Sequence, residues 1–313
     1  MGFTDLLTIS MPVYERRDFF EQALNSALNQ TVKCRVIVVD NCSSHDYFEQ
    51  VCERKRVPYY RNSENIGMAR NFARGFELSD TKFVMNLQDD DQLAPDYVES
   101  FLKAYEEHPD IDIFFPDFVR LTAEGQKPHK HVLPFGYMEK GEKIIEYGIK
   151  YKLGFPYMAS AIKRTKVNGF HGEYEGSGSY DWVWIYSEAD KFTFYGDSRK
   201  LYIFRDHDNQ DTKKNAINYS FTLPYIYDVV LKEKVTNKEL KKKAEKNAFM
   251  ELFKLKSAAS RKAVSNFLAK DTIFSHYLRD KLDQSFLVRM LFACPVAGVN
   301  FTYRALLKSK VIN

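Results

Sequence analysis

Residues 83–93, FVMNLQDDDQL, indicate the fold class, because a short apolar run ends there in three consecutive carboxylates. The run has the length of a buried strand, and Pro95 suits the first turn of a following helix. A strand that ends in a polar loop and leads into a helix is the repeating step of an α/β fold. In open parallel sheets, ligands collect beyond the carboxyl ends of the strands, where this loop would lie.

The same step recurs along the first part of the chain. Short apolar runs typical of strands cover residues 6–10, 35–40, 82–87 and 111–115. Apolar residues at helical spacing cover residues 18–29, 68–78 and 95–107. The alternation predicts an α/β fold with a doubly wound, mainly parallel sheet and helices on both of its faces.

Beyond residue 120 the pattern is less regular. Residues 122–154 are rich in Gly, Pro, His and Lys and are predicted to form a loop excursion, and strand-like stretches return at 155–162 and 191–204. After about residue 211 the pattern becomes helical, with apolar residues four positions apart among lysines: Leu240, Ala244, Ala248 and Leu252.

Composition excludes several classes of protein. The 313 residues are 44% hydrophobic and 15% aromatic, which supplies a core and excludes a disordered chain. A net charge of +4 is too close to balance for a nucleic-acid coat protein, so no nucleic-acid partner is expected. The charge is nevertheless uneven, since residues 232–313 carry +11 and the first 231 residues carry −7.

Other features concern localisation. The most apolar late stretch, residues 290–299, is interrupted by Pro295 and falls well short of the roughly 20 residues of a membrane span. Residues 1–10 lack the basic and then apolar pattern of a secretory signal. The four cysteines, Cys34, Cys42, Cys52 and Cys294, include no CxxC pair. We therefore expect a cytoplasmic protein with reduced thiols.

The three carboxylates at 89–91 are the strongest indication of chemistry. Negative charges crowded at the end of a strand repel one another unless a cation neutralises them. Mg²⁺ and Mn²⁺ prefer oxygen ligands and bind through one or two carboxylates together with substrate phosphates. The alternative is a solvated acidic turn that caps the next helix, which would suit Asp91 alone.

Two further polar loops follow predicted strands or precede predicted helices. Asp40 follows the apolar run 36–39, where a carboxylate can read a nucleotide base or ribose, although an N-cap or Asx turn is an equal alternative. Residues 61–72, RNSENIGMARNF, place Gly67 before a helix whose first turns carry Arg70. Helix N-termini and arginine both favour diphosphate.

Four motifs in this order resemble the family 2 glycosyltransferases of the GT-A fold, bacterial type. They are SMPVY at 10–14, VVDN at 38–41, NIGMARN at 65–71, and LQDDD at 87–91 followed by Pro95. The resemblance covers residues 5–210. It implies an inverting, metal-dependent hexosyltransferase that uses Mn²⁺ or Mg²⁺. The donor would be a nucleotide-sugar, first of all a UDP-sugar, and the acceptor a glycan or lipid-linked saccharide in cell-surface polysaccharide synthesis.

The resemblance also implies roles for individual residues. Pro12, Tyr14 and Glu15 would line the base pocket, and Asp40 would contact the base. The donor would also meet Asn65, Gly67, Arg70 and Asp89, with Arg70 at the ribose or diphosphate. The metal would rest on Asp90 with help from Asp91 or Asp89. Gln88 stands where family members often carry the first aspartate of this motif.

Two later segments complete the implied site. Residues 173–184, EYEGSGSYDWVW, resemble the family's Gly-rich acceptor loop followed by a base, and Asp181 would be that base. Tyr180 replaces the acid that often precedes it, Glu173 and Glu175 are rival bases, and Trp182 or Trp184 would stack on a sugar or belong to the core. Residues 202–210, YIFRDHDNQ, resemble a late family segment in which Arg205 would neutralise the diphosphate and His207 would ligate the metal or touch the diphosphate.

The resemblance divides the chain into a GT-A catalytic domain, residues 1–210, and a basic helical C-terminal region, residues 211–313. The nucleotide-sugar half would span 1–118 and the acceptor half 119–210. A sugar nucleotidyltransferase remains an alternative function, although residues 9–17 lack the Gly-rich phosphate loop usual there. A catalytically inactive nucleotide-sugar binder is another alternative, which Gln88 and Tyr180 would allow.

The basic C-terminal region has two interpretations of its own. Residues 232–262 hold 11 basic and 4 acidic residues. They would form either a solvated helix packed on the catalytic domain or a peripheral contact with the anionic inner face of the plasma membrane. In the second case the apolar stretch 286–301 would insert shallowly into the lipid.

Overall fold

The structure is a computed structural model, and it describes residues 3–128, 133–152, 155–167, 179–210, 213 and 216–293. Within those ranges the chain forms two compact units. The first unit comprises Met1–Tyr147, Leu153–Gly172 and Glu188–His207, and the second comprises Gly148–Lys152, Glu173–Ser187 and Asp208–Asn313.

A mixed sheet is the centre of the first unit. Its strands are β1 (Phe3–Val13), β2 (Lys33–Asp40), β3 (Tyr59–Arg61), β4 (Phe83–Asn86), β5 (Gln92–Leu93), β6 (Ile113–Thr122), β7 (Gly125–Pro128), β8 (Gly136–Met138), β9 (Ala161–Lys163) and β10 (Phe194–Arg205). The order is β3-β2-β1-β4-β9-β6-β10-β5, with β7 on β6 and β8 on β10. Strands β3, β2, β1 and β4 run parallel, as do β6 and β10, whereas β5, β7, β8 and β9 pair antiparallel.

Helices of the first half connect these strands. They are α1 (Phe20–Leu28), α2 (Tyr47–Lys55), α3 (Met68–Leu78) and α4 (Tyr97–Glu107), followed later by α5 (Glu142–Tyr151) and α6 (Tyr180–Glu188). Adjacent residues of β1 show that both faces of the sheet are covered, because neighbouring side chains on a strand point to opposite faces. Ile9 joins a core cluster with Phe20 of α1 and Phe101 of α4, whereas Ser10 faces Gly75 of α3. The predicted doubly wound, mainly parallel α/β fold is confirmed.

Helices form the C-terminal part of the second unit. They are α7 (Ala216–Tyr225), which continues as a π-helix (Ile226–Leu231), α8 (Lys238–Ala258), α9 (Arg261–Leu268), α10 (Ile273–Gln284) and α11 (Phe286–Ala293). Ala244, Ala248 and Leu252 of α8 are buried, as their spacing predicts. The helical C-terminal region is therefore confirmed, and no helix in the described ranges is long and apolar enough to cross a bilayer.

Two segments that the sequence places within residues 1–210 group with these helices instead. In the segment Gly148–Lys152, Asn247 of α8 donates a hydrogen bond to the Ile149 carbonyl oxygen at 2.8 Å. Tyr186 of α6 packs directly against Gly148. These contacts join residues 148–152 to α8 and to Tyr186 within the second unit.

The loop prediction for residues 122–154 is wrong over most of its described length. That range contains β7, β8 and α5, and Ile144, Ile145 and Ile149 of α5 are buried. The strand prediction for 155–162 is wrong at its start, because Pro156 introduces a 3₁₀ turn at Tyr157–Ala159 and the strand begins only at Ala161.

A close approach of α3 to β1 leads to the first prediction. A Cβ atom at Gly75 would overlap the Ser10 hydroxyl oxygen and lie 2.8 Å from the Ser10 Cβ. We expect Gly75→Ala to lower the free energy of unfolding by about 1–3 kcal/mol, as overpacking of a filled core does. Urea denaturation measures the change. Adding Ser10→Ala should restore part of the loss, and a Gly75→Ala protein as stable as the parent would contradict this packing.

Candidate functional site

The predicted polar loops leave the sheet at the same edge. Val13 of β1 pairs in parallel with Asp40 of β2, and Ser10 of β1 pairs in parallel with Asn86 of β4. The residues that follow these strands therefore emerge side by side, at the carboxyl ends where ligands bind in open α/β sheets. The end of β10 reaches the same loop after β4, because the Arg205 N–H donates to Asp91 Oδ1 at 2.8 Å.

The acidic loop is nearly withdrawn from water and is neutralised from within the chain. Asp89 and Asp90 are 5% and 7% exposed. The Arg16 guanidinium bonds to both oxygens of Asp89, and its NH1 lies 2.9 Å from Asp90 Oδ2. Burial raises the pKa of Asp89 above its ordinary value, and the neighbouring Arg16 acts in the opposite direction. One guanidinium thus contacts both buried carboxylates and offsets part of their charge.

Asp91 differs from its two neighbours, because both of its carboxylate oxygens accept hydrogen bonds from β10. The Tyr202 hydroxyl donates to Oδ2 at 2.5 Å, and the Arg205 N–H donates to Oδ1 at 2.8 Å. Burial, followed by the charge of Asp90, raises the pKa of Asp91. This geometry ties the acidic loop to β10, whereas the sequence assigns Asp91 to the metal.

His207 and Asp90 lie in direct contact. The His207 Nε2 is 3.0 Å from Asp90 Oδ2, and the ring of Phe19, which precedes α1, packs edge-on against the imidazole at 5.0 Å. The Arg205 guanidinium lies 4.2 Å from the centre of the same Phe19 ring. Its Nε donates to the Asp90 carbonyl oxygen at 2.8 Å and its NH2 to Gln22 Oε1 at 2.8 Å. The structure therefore brings together Asp89, Asp90, Asp91, Arg205 and His207.

Asp40 serves as an organiser of the loop after β2. Its side chain is fully buried, with Oδ1 accepting from both the N–H and the hydroxyl of Ser43 at 3.0 and 2.6 Å. The Tyr59 hydroxyl donates to Oδ2 at 2.6 Å, and burial raises the pKa of that tyrosine. These partners match the Asx-turn alternative, and they leave neither carboxylate oxygen without an intrachain donor.

Glu15 is bound to the same loop from the β1 side. Its carboxylate accepts the Ser44 N–H and hydroxyl, each at 2.8 Å, and these bonds lower the pKa of Glu15. Its backbone adopts φ 58°, an uncommon conformation for a residue other than glycine. Pro12 is buried in β1, and Tyr14 is 45% exposed at its end. Tyr14 is thus the accessible aromatic surface next to this turn.

Asparagine side chains hold the loop before α3. Asn65 Oδ1 accepts the Asn41 side-chain amide at 2.8 Å and the Gly67 N–H at 3.0 Å. Gly67 adopts φ 85°, which suits glycine and turns the chain into the helix. Arg70 is exposed in the first turns of α3. This loop and the loop after β2 are therefore linked into one structure.

Asp181 lies at the start of α6 and belongs to the second unit. Its side chain is partly buried, and the loss of water around it raises the pKa of Asp181 to about 7. A carboxyl group with a pKa near neutrality has the protonation behaviour of a general base. Trp184 is 2% exposed and is a core residue, whereas Trp182 keeps partial exposure. The rival carboxylates Glu173 and Glu175 lie outside the described residues.

Sequence reasoning missed the contribution of the segment that leads into α1. Arg16, Phe19 and Gln22 contact the acidic loop or the end of β10. A detectable sign was the adjacent pair of arginines at positions 16 and 17, directly after the first predicted strand. The three carboxylates emerge at the same edge of the sheet, so arginines that follow the first strand can form ion pairs with them.

The family of this chain follows from its similarity to known proteins. The model of "Glycosyl transferase family 2" matches residues 8–167, which is more than half of the chain. The chain belongs to glycosyltransferase family 2. The matched range contains all four motifs at the edge of the sheet, and β10 follows it.

Two curated relatives illustrate how far the similarity of this glycosyltransferase extends. Glycosyltransferase GlyA of Streptococcus pneumoniae is 28% identical over 140 residues, covering 44% of this chain and 20% of the relative. Abequosyltransferase RfbV of Salmonella typhimurium is 31% identical over 100 residues, covering 29% of this chain and 30% of the relative. The matches thus span well under half of the relatives' own length.

Solved structures show the same fold at low sequence identity. S. aureus TarS (residues 1–349) has a TM-score of 0.62 at 13% identity, covering 97% of this chain and 92% of that chain. It has also been solved with UDP-GlcNAc. The mannosyltransferase PcManGT of Pyrobaculum calidifontis, solved with GDP-Man and Mn²⁺, has a TM-score of 0.52 at 13% identity and covers 92% of this chain and 83% of that chain.

The family generally uses a divalent cation, and the side chains at the acidic loop are the ones that would have to hold it. In the described part of the chain, no group of three His, Cys, Asp or Glu side chains is arranged to hold a metal. The pair Asp90 Oδ2 and His207 Nε2 is 3.0 Å apart, which matches adjacent ligands of an octahedral ion with bonds of about 2.1 Å. Such an ion takes its other ligands from water and phosphate. Asp90 and His207 could therefore supply two ligands of such a cation, in place of the hydrogen bond that joins them in this structure.

Proposed function

We propose that this family 2 enzyme is an inverting, metal-dependent glycosyltransferase with a nucleotide-sugar donor, first of all a UDP-sugar. The observation that carries the proposal is the Asp90–His207 pair at the carboxyl edge of the sheet, flanked by Arg16 and Arg205. Carboxylate, imidazole and guanidinium groups together suit a metal-bound diphosphate. The UDP-GlcNAc complex of TarS supports the choice of donor.

The proposed acceptor is a glycan or lipid-linked saccharide in cell-surface polysaccharide synthesis. The names of two relatives support this class: abequosyltransferase RfbV, and a putative teichuronic acid biosynthesis glycosyltransferase, TuaG, of Bacillus subtilis. Residues 1–210 would be the catalytic domain, with the nucleotide-sugar half at 1–118 and the acceptor half at 119–210. Residues 211–313 would be the basic helical region.

In the proposed reaction Asp181 takes the proton of the acceptor hydroxyl while that oxygen bonds to the anomeric carbon of the donor. The bond from that carbon to the diphosphate breaks in the same displacement, so the configuration inverts. Asp90 and His207 would hold Mn²⁺ or Mg²⁺, which offsets the charge that develops on the leaving diphosphate. Arg205, fixed by Gln22 and the Asp90 carbonyl oxygen, holds positive charge beside that position.

Donor recognition falls to the two linked loops. Tyr14, the accessible aromatic residue, would stack on the base, next to Pro12. Asp40 and Glu15 would shape the base pocket through the turn at Ser43 and Ser44 that they hold. The donor would also contact Asp89 and the Asn65–Gly67 loop. Arg70, which is exposed, would lie next to the diphosphate. These are the remaining donor-binding residues that the family resemblance implies.

A panel of nucleotide-sugars tests the proposal. We expect one donor to raise the melting temperature in the presence of Mn²⁺ and to release its nucleoside diphosphate slowly by hydrolysis. An inactive binder would show the thermal shift without release. A sugar nucleotidyltransferase would instead release pyrophosphate from a nucleoside triphosphate and a sugar phosphate. Absence of a shift with every donor would overturn the proposed function.

We further propose that the second unit touches the anionic inner face of the plasma membrane, where a lipid-linked acceptor would lie. Helix α11 leaves Phe286 and Leu287 67% exposed and Met290 50% exposed, although Val288 and Leu291 on its other side are buried. It packs against α8, which carries the exposed lysines Lys238, Lys241, Lys242 and Lys246. Exposed apolar side chains and exposed lysines in one helical region are typical of segments that lie on a membrane surface.

Sedimentation with lipid vesicles tests whether this surface binds a membrane. The protein should pellet with vesicles that contain anionic lipid and should be released as salt is raised, because each lysine near such a surface contributes about 1 kcal/mol. Phe286→Ser with Leu287→Ser should weaken binding, and Phe3→Ser, at another exposed phenylalanine, serves as the matched control. Equal pelleting with neutral and anionic vesicles would contradict the electrostatic part of the proposal.

A further inference from the structure

We propose that Arg16 is a built-in counter-cation of the acidic loop, which gives up Asp90 when the divalent cation binds and then turns to the diphosphate. The proposal rests on the proposed function for its second half, the transfer to the diphosphate. Its first half, in which Arg16 and the divalent cation compete for Asp90, needs no donor.

Asp89 and Asp90 are adjacent and almost fully buried, and two neighbouring buried carboxylates are strongly unfavourable without a cation. Arg16 contacts both carboxylates at once, with Nε and NH2 on Asp89 and NH1 on Asp90. The guanidinium therefore does in the donor-free protein what a divalent cation would do in the loaded enzyme.

Asp90 Oδ2 is 2.9 Å from Arg16 NH1 and 3.0 Å from His207 Nε2. A divalent cation held between Asp90 Oδ2 and His207 would compete with Arg16 NH1 for this oxygen. Because the guanidinium and the ion are both positive, they repel each other at such short range. Metal binding through this oxygen would therefore displace NH1 from Asp90.

The Arg16 side chain is 25% exposed, so it is not enclosed by the core. It lies on the segment between β1 and α1, at the edge of the sheet where the diphosphate would sit. Guanidinium N–H groups form strong, charge-assisted hydrogen bonds to phosphate oxygens. Arg16 can thus keep Asp89 with Nε and NH2 and offer NH1 to the diphosphate.

The first test measures Mn²⁺ binding to the donor-free protein from the electron paramagnetic resonance signal of free Mn²⁺. We expect Arg16→Gln to bind Mn²⁺ at least tenfold more tightly than the parent. Arg17→Gln is the matched control, because Arg17 lies over the Tyr47 ring at 5.8 Å, and it should bind as the parent does. Equal or weaker Mn²⁺ binding by Arg16→Gln would overturn the counter-cation role.

The second test measures UDP binding at saturating Mn²⁺ by calorimetry. Arg16→Gln should bind UDP at least tenfold more weakly, and unchanged UDP affinity together with tighter Mn²⁺ binding would overturn the transfer to the diphosphate. If Arg16→Gln fails to fold, Arg16→Lys replaces it, since one ammonium cannot span both carboxylates and Mn²⁺ binding should still tighten several-fold. The Mn²⁺ measurement stays decisive even if the panel of nucleotide-sugars shows no donor.

Discussion

Asp90→Ala should abolish Mn²⁺-dependent turnover of the donor, with a loss of about a thousandfold or more, while the protein stays folded. A bound metal stabilises the charge of the transition state by several kcal/mol, and Asp90 supplies the carboxylate of the proposed site. Removing one of two adjacent buried carboxylates also removes repulsion, and Arg16 retains Asp89 as its partner. Release of the nucleoside diphosphate at saturating Mn²⁺ measures the loss, and circular dichroism verifies the fold.

Asp208→Ala is the matched control for this substitution. Asp208 is a neighbour of His207 in sequence, and its side chain is fully exposed beside Lys213 at 3.4 Å. The control removes one negative charge without touching the Asp90–His207 pair, so its turnover should equal that of the parent. Parental turnover in Asp90→Ala would disprove the assignment of the metal to Asp90.

Asp181→Asn should lower sugar transfer by about a hundredfold or more and leave the affinity for the donor within a few-fold of the parent. The amide keeps the size of the side chain but cannot accept the proton of the acceptor hydroxyl. Initial rates with acceptor give the loss in transfer, and calorimetry with UDP gives donor affinity. Glu188→Gln, at the other end of α6, is the control, because Glu188 pairs with Lys191 at 2.9 Å.

The pH dependence gives a second readout of Asp181. A general base acts in its deprotonated form, and burial raises the pKa of Asp181 to about 7. Transfer by the parent should therefore rise with pH and reach half its maximum near pH 7. Asp181→Asn should lose this rise. Glu173→Gln or Glu175→Gln would contradict this assignment if it lowered transfer more than Asp181→Asn does and also abolished the rise with pH. The replaced glutamate would then be the base.

The edge of the sheet was predictable because its parts are local. Each strand that leads to the site is a short apolar run followed directly by polar residues, so in a parallel sheet these polar residues are expected to meet at one edge. The pairing of Val13 with Asp40 and of Ser10 with Asn86 then follows from the parallel arrangement. The family motifs reflect the same local order.

The partners of the carboxylates were not predictable from the same patterns. Asp89, Asp90 and Asp91 are identical in sequence, yet they differ in what they contact. Asp91 faces Tyr202, 111 residues further along the chain, whereas Asp89 faces Arg16, 73 residues earlier. The direction of each side chain depends on the turn after β4 and on β10, and neither is visible in the run of three aspartates.

Helix α5 shows a different limit. Its sequence, EKIIEYGIKY, contains an apolar stripe, but Gly148 and the surrounding Gly- and Pro-rich residues favoured a loop. In the structure Gly148 is the point where Tyr186 packs closely on the helix, so tertiary contact accounts for a residue that lowers helix propensity. Propensity alone therefore gave the wrong answer at this site.

The position of β10 has a consequence for how the enzyme folds during synthesis. Among the described strands β10 is the last in the chain, yet it lies inside the sheet between β6 and β5. A nascent chain that ends at residue 167 contains the whole family match but lacks Tyr202, the partner of Asp91, and the strand that separates β6 from β5. Such non-local pairing is slow, and unpaired strand edges promote aggregation. The ribosome thus completes this edge of the sheet late, and the acidic loop lacks its partners in β10 and at His207 until residue 207 has been made.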